Sequence, residues 1–275
     1  MPQSFEKISA ENLVARQREV GSKLRVFCFE KTGSTNADAA RILATGTTEK
    51  DFAVIANEQS AGRGRVPGRH WVSEPGNILL SCGFRPQNLA PTRLSNFTLW
   101  VGVVVAQMLR EKFGIPAEVK WPNDIFCRGK KIAGMLTEAH LDSTRVYSII
   151  FGIGLNVNLR KESLPEELKK QATSLLMEIA ENEVLDVNRV CAELLFALEQ
   201  AYTRFLEGTH TSALHQTWDS LDYLYGKNVT AIFGEERLVG TAFGIDDQGR
   251  ILIKDTAGTL HAFSAGDVTL NTGSR

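Results

Sequence analysis

Between Lys120 and Glu138 the chain reads Lys-Trp-Pro-Asn-Asp-Ile-Phe-Cys-Arg-Gly-Lys-Lys-Ile-Ala-Gly-Met-Leu-Thr-Glu, a pattern that is hard to fold as anything but a hairpin. Pro122 has no N–H to give to a sheet, so it stops the apolar run Val119–Trp121. Ile125 and Phe126 begin a return, Arg128-Gly129 supplies the turn, and Lys131–Glu138 reads as a strand. Strict alternation puts Ile132, Gly134, Leu136 and Glu138 on one face and Lys131, Ala133, Met135 and Thr137 on the other. Gly134 interrupts the strand without a side chain, a sign of close approach by a backbone or a ligand. Polar residues aimed from a hairpin end suit an active site; the same pattern also describes an ordinary amphipathic hairpin with a solvated lysine pair.

The segments around this hairpin fit an α+β domain. Residues 9–20 predict a short helix capped by Ser9, and Lys23–Phe29 a strand. Gly33-Ser34-Thr35-Asn36 opens a helix that Gly46 closes, with Ser34 or Thr35 as its N-cap and free N–H groups at its start. Phe52–Ala56 and Asn77–Phe84 are strands of buried type, and the long glycine-punctuated loop between them is of a length usually reserved for function. Thr92–Phe113 predicts a helix packed across the sheet, Val146–Asn158 another strand, and 160–172 a second irregular loop. Helices are expected at 173–180, 186–206 and 212–221. After Gly226 the character changes. Five short β-prone runs (Val229–Phe233, Arg237–Ile245, Ile251–Lys254, Leu260–Phe263 and Val268–Leu270), separated by Gly234, Gly249, Gly258 and Gly266, predict a small barrel, dividing the chain into 1–225 and 226–275.

Composition excludes several classes. A net charge of −1 argues against a chain built mainly to hold nucleic acid. Cys28, Cys82, Cys127 and Cys191 lie far apart with no C-x-x-C spacing, so neither a zinc site nor a disulfide framework is signalled. No apolar run is long enough to span a membrane, and the amino terminus lacks a signal-peptide core. A reducing, cytoplasmic setting is expected.

Three more stretches carry chemistry. Gln59-Ser-Ala-Gly-Arg-Gly-Arg65 alternates flexible glycines with guanidiniums that can fork onto phosphate or carboxylate, and Arg69 and His70 extend the basic run. It matches no P-loop, and a solvated loop would read the same way. Trp71 ends that loop and on its own reads as a core tryptophan. Gly152-Ile-Gly-Leu-Asn156 fails as a dinucleotide fingerprint, since a third glycine and a following helix are missing.

Taken together, Lys120-Trp-Pro-Asn-Asp124, Lys131-Ile-Ala-Gly134, Gly62-Arg-Gly-Arg65 with Trp71, Gly152-Ile-Gly-Leu-Asn156 and the upstream Ser34-Thr-Asn36 resemble the signature of biotin protein ligases, in the order that family uses. The resemblance implies a mixed-sheet catalytic domain of the class II synthetase-like biotin/lipoyl ligase type, followed by an SH3-like barrel. It implies that biotin is joined to ATP as biotinyl-5′-AMP, with Mg²⁺ at the phosphates, and passed to a lysine of a biotin carboxyl carrier domain. By the same resemblance Ser34, Thr35, Asn36 and Gln59 hold the biotin head, while Arg63, Gly64 and Arg65 form the loop that folds over it. Gly134 and Leu136 line the biotin pocket, and Trp71, Asn123 and Asn156 meet the adenylate. Lys131 then stabilises the charge that develops as carboxylate meets phosphate, and Asp124 orients or deprotonates the acceptor amine. Lys120 helps hold the site. Val66-Pro67 lengthens the link from Arg65 to Trp71 by one residue relative to the family's usual pattern, which loosens the placement of Arg69. No aromatic in 159–172 supplies the second stack that some relatives have.

The nearest rival is a lipoyl or octanoyl ligase or transferase, which lacks the paired Lys-Trp-Pro-Asn-Asp and Gly-Arg-Gly-Arg blocks. A DNA-binding repressor needs a helix-turn-helix of at least two packed helices, and only about 22 residues precede the first strand. A non-catalytic binding module fits poorly with Lys131 and Asp124 both present.

Overall fold

The computed structural model describes residues 6–66, 68, 71, 75–179 and 183–271. Its centre is a seven-stranded mixed sheet in the order β1-β2-β3-β7-β6-β5-β4. The strands are β1 (Arg25–Thr32), β2 (Phe52–Gln59), β3 (Ile78–Phe84), β4 (Ala117–Lys120), β5 (Asp124–Cys127), β6 (Lys130–Leu141) and β7 (Val146–Leu155). Only β1 and β2 run parallel, joined by the helix α2 (Thr35–Thr45); the other pairs are antiparallel.

One face of the sheet is covered completely. Helices α1 (Ala10–Val20), α3 (Phe97–Phe113), α5 (Val187–Glu207) and α6 (His210–Leu221) pack there, with the short α4 (Leu175–Glu178) at the sheet's end. Ile78, Leu80, Cys82 and Phe84 of β3 point into this core beside Phe97, Trp100 and Phe205. Tyr202 stacks on Phe84 with centroids 3.9 Å apart. On the other face α2 packs its Ala39, Ile42 and Leu43 on Phe52, Val54 and Ile150. That helix lies over β2, β3 and the Ile150 end of β7, and leaves β6 and the Gly154 end of β7 open. The cavity described below lies in the gap.

Two cross-strand rows pave that opening. Val54, Ser81, Gly152 and Leu136 stand in register across β2, β3, β7 and β6. One step along, Leu79, Gly154, Gly134 and Asp124 form the next row. Three glycines in two adjacent rows leave a floor without side chains.

The hairpin forms where the sequence places it, and the face assignment needs correction at Lys131. In the β5–β6 ladder Ile125 pairs with Ala133 while Phe126 pairs with Lys131, so Ile132 is an extra residue in a β-bulge. Ile132 and Ala133 are both fully buried, and Lys131 is rephased onto the face of Gly134, Leu136 and Glu138. A second strap explains why the bulge is held. Lys131 N–H donates to Gln171 O at 2.8 Å, and Thr173 N–H to Lys131 O at 2.9 Å, so the end of the 160–172 loop pairs with Lys131. The long helix expected from Thr92 is also split, into a 3₁₀ turn at Pro91–Leu94 and α3 from Phe97.

The last part of the chain is a five-stranded antiparallel sheet, β11-β10-β9-β8-β12. Its strands are β8 (Asn228–Phe233), β9 (Glu236–Ile245), β10 (Ile251–Asp255), β11 (Leu260–Phe263) and β12 (Asp267–Leu270). The sheet curls enough for Phe233 of β8 to stack on Phe263 of β11, centroids 3.6 Å apart. It rests on the larger part through Trp121 Nε1–H to Gly249 O (3.0 Å) and Asn96 Nδ2–H to Asp247 O (3.1 Å).

Candidate active site

The cavity above the glycine floor holds about 520 Å³ of empty space, its open mouth included. Twelve of the residues singled out from the sequence line it: Ser34, Thr35, Asn36, Gln59, Arg63, Gly64, Arg65, Trp71, Asn123, Lys131, Gly134 and Leu136.

One end is a hydrogen-bonded polar cluster. Gln59 Oε1 accepts from Thr35 N–H (2.7 Å) and from Thr35 Oγ1–H (3.0 Å). The first of these satisfies a donor at the start of α2, so the cap comes from a glutamine on β2 and the Ser34 side chain makes no capping bond. The Ser81 hydroxyl, completely buried, sits 2.7 Å from Thr35 Oγ1 and 2.6 Å from Asn36 Oδ1. Asn36 Nδ2–H donates to Glu138 Oε2 at 2.6 Å. Gly152 makes this possible: a Cβ there would stand 2.1 Å from Asn36 Oδ1.

The other end is cationic. Lys131 Nζ lies 2.7 Å from Asp124 Oδ1 and 5.6 Å from the centre of the Trp71 ring. Trp71 lies flat over Gly134 and Gly154, where added Cβ atoms would stand 2.9 Å and 2.4 Å from its ring. Its indole N–H is buried and has no hydrogen-bond partner among the described residues, which leaves a donor for a bound molecule. Asn123 Nδ2–H is tied to Met135 O at 2.6 Å, which fixes the turn that presents Asp124. The Gly62–Arg65 loop spans both ends. Arg63 pairs with Glu138 at 3.2 Å, and Arg65 Nη2–H donates to Gly266 O of the C-terminal sheet at 2.5 Å. Three cations against two carboxylates suit an anionic ligand.

Asp124 stands just behind the cavity wall, reached through Lys131. Asn156 is displaced further: its Nδ2–H donates to Thr173 O at 2.9 Å, so this amide donor braces the strap on Lys131. Lys120 lies outside the cavity, over the Phe126 ring at 5.2 Å. Pro67, Arg69 and His70 lie outside the described residues. Sequence reasoning passed over Ser81, Glu138 and the paving roles of Gly152 and Gly154. Ser81 had one signal, a lone hydroxyl in an otherwise apolar strand.

Residues 28–156 match the biotin/lipoate A/B protein ligase family, and residues 224–270 match the biotin protein ligase C terminal domain. The chain is 36% identical to the bifunctional ligase/repressor BirA of Bacillus subtilis, over 84% of this chain and 70% of that protein. It is 35% identical to the biotin–[acetyl-CoA-carboxylase] ligase of Mycobacterium tuberculosis, over 86% of each. The chain belongs to the biotin protein ligase family. Its fold superposes on the biotin protein ligase from Aquifex aeolicus in complex with biotin and ATP with a TM-score of 0.73 and 28% identity, covering 90% of this chain and 98% of that one. Family membership accounts for the otherwise odd pairing of a glycine-paved floor with a hydrogen-bonded polar end and a cationic end in one cavity.

Proposed function

We propose that this chain is an ATP-dependent biotin–protein ligase that makes biotinyl-5′-AMP and transfers biotin to a lysine of a carboxylase's biotin carboxyl carrier domain. The observation that carries the reading is the Lys131–Asp124 pair over the glycine floor, with a polar end on one side and an open cationic end on the other. Biotin's fused-ring head sits at Ser34, Thr35 and Gln59, under Arg63 and Gly64, with its chain along Gly134 and Leu136. Its carboxylate then reaches Lys131. The adenine lies against Trp71, with Asn123 and Asn156 bracing that end.

In the first step a biotin carboxylate oxygen attacks the α-phosphorus of ATP, and the bond to pyrophosphate breaks. Lys131 meets the charge that builds between carboxylate and phosphoryl oxygens, and Arg65 takes part of the adenylate phosphate. In the second step the acceptor amine attacks the acyl carbon, AMP leaves, and Asp124 orients the amine and takes up its proton. Mg²⁺ brought with ATP would neutralise phosphate charge; it would be held mainly by phosphates and water, and Asp124 and Asn123 would supply one or two oxygen contacts. The reading divides the chain at Tyr225-Gly226. It places the protein in the cytoplasm, where its four free cysteines stay reduced. No helix among the described residues is long and apolar enough to cross a membrane.

ATP–pyrophosphate exchange, run separately with biotin and with lipoate, tests this. Exchange with biotin alone is expected; exchange with lipoate and not biotin would move the chain to the lipoyl branch of the family.

A further inference from the structure

Glu138 touches both halves of the biotin end. Its Oε2 accepts from Asn36 Nδ2–H at 2.6 Å, and both its oxygens lie 3.2 Å from Arg63 Nη2. Asn36 is 5% exposed and its amide is committed at both ends, with Ser81 Oγ at 2.6 Å from Oδ1 and Glu138 at Nδ2. An amide so bound has one orientation and little left to offer a ligand. Asn36 is therefore a strut between α2, β3 and β6, and Glu138 is the charged foot on which it stands.

The same carboxylate reaches the loop. Arg63 meets a carboxylate on the biotin side of the floor, while Arg65, two residues on, bonds the C-terminal sheet at Gly266. The loop's two guanidiniums are thus held at unlike points, a charge pair on the biotin side and a backbone carbonyl on the adenylate side. Gly64 lies between them.

We propose that Glu138 is a positioning residue for biotin, which locks the Asn36 strut, tethers Arg63 over the biotin end of the cavity, and takes no part at the Arg65 end. The proposal rests on the ligase reading above. It predicts that the two halves fail separately. Loss of Glu138 weakens biotin binding and leaves the affinity for ATP and the escape of a formed adenylate alone.

The test is calorimetry of biotin binding to the full chain carrying Glu138→Ala, Glu138→Gln, Arg63→Ala or the Glu138→Ala/Arg63→Ala pair, with thermal melts beside it. Glu138→Ala is expected to weaken biotin binding about tenfold, the scale of one charge-assisted contact. Glu138→Gln, which keeps an acceptor for Asn36 and loses the charge facing Arg63, should fall between it and the wild type. The pair should lose less than the product of the two single losses, because part of what Arg63 does for biotin runs through Glu138. A Glu138→Ala affinity within twofold of wild type overturns the proposal. So does a pair whose losses multiply, or a loss of biotin and ATP affinity together with a lowered melting temperature, the mark of a merely structural role. A wild-type chain that exchanges no pyrophosphate with biotin overturns the ligase reading instead.

Discussion

Replacing Gly154 by alanine separates the two ends of the site with one methyl group. Gly154 lies in β7 with ordinary extended backbone, so alanine brings no conformational strain of its own. The added Cβ would stand 2.4 Å from Trp71 Cε2, 2.7 Å from Cζ2 and 2.8 Å from Nε1. Ordinary contact begins near 3.4 Å, so the ring must withdraw by about 1 Å. Trp71 lies outside the strands, at the end of its loop, so its ring can withdraw; folding should be nearly unaffected while the platform for the adenine tilts away. A base stacked on an aromatic ring is worth about 1–3 kcal/mol, which corresponds to about 5- to 150-fold in ATP affinity. Gly152→Ala is the mirror experiment. Its Cβ would stand 2.1 Å from Asn36 Oδ1, so it should break the Ser81–Asn36 contact and raise KM for biotin while sparing ATP. The assay is pyrophosphate exchange with each substrate varied in turn. A Gly154→Ala enzyme with a raised KM for biotin and an unchanged one for ATP would refute the assignment of Trp71 to the adenine. Equal losses for both substrates with a lower melting temperature would refute the idea that the ring can simply withdraw.

Lys131→Ala should slow adenylate formation by about 10²–10³-fold, the cost of one transition-state charge contact, with biotin affinity changed little; single-turnover formation of labelled biotinyl-AMP measures it. Arg65→Gly should still form the adenylate but release it about 10- to 100-fold faster, seen as biotin appearing on an unrelated lysine-rich protein. Burial pushes the Asp222 carboxyl up from 3.8 to about 6, although Leu224 N–H and Trp218 Nε1–H donate to it. The folded state therefore holds a proton that the unfolded chain releases, and this group's share of stability is lost as pH rises from about 4 to about 6. Melting temperature against pH should flatten across that window in Asp222→Asn; an unchanged slope would remove Asp222 as its source.

Where local pattern decides structure, the sequence was legible. The short C-terminal strands fall within a residue or so of their expected limits, because alternation and glycine turns are both local signals. Twelve expected site residues meet in one cavity because the motifs that carry them lie at strand ends and loop tips around one sheet face. What failed was set by distant partners. Lys131 changed face because the Gln171–Thr173 strap, some 40 residues away, holds a bulge that period-two counting cannot anticipate. Ser34 holds the expected N-cap position but makes no side-chain cap bond, because Gln59 on the neighbouring strand reaches the helix start first.

The Gly-Ile-Gly of β7 shows how the two kinds of signal combine. Read as a loop, Gly152 and Gly154 form a failed nucleotide fingerprint, since no third glycine or helix follows. Read with strand periodicity, two glycines at i and i+2 share one face, and the register sets Gly134 of β6 beside Gly154. Each bare position then has a specific tenant: Asn36 over Gly152, and Trp71 over Gly154 and Gly134. The spacing of the glycines thus fixes how far the polar end of the cavity lies from the aromatic one, two residues along a strand or about 6.6 Å. A ligand that bridges the two ends must carry its reacting carboxyl across that span, and Lys131, rephased by its bulge onto the same face, is the cation that waits there.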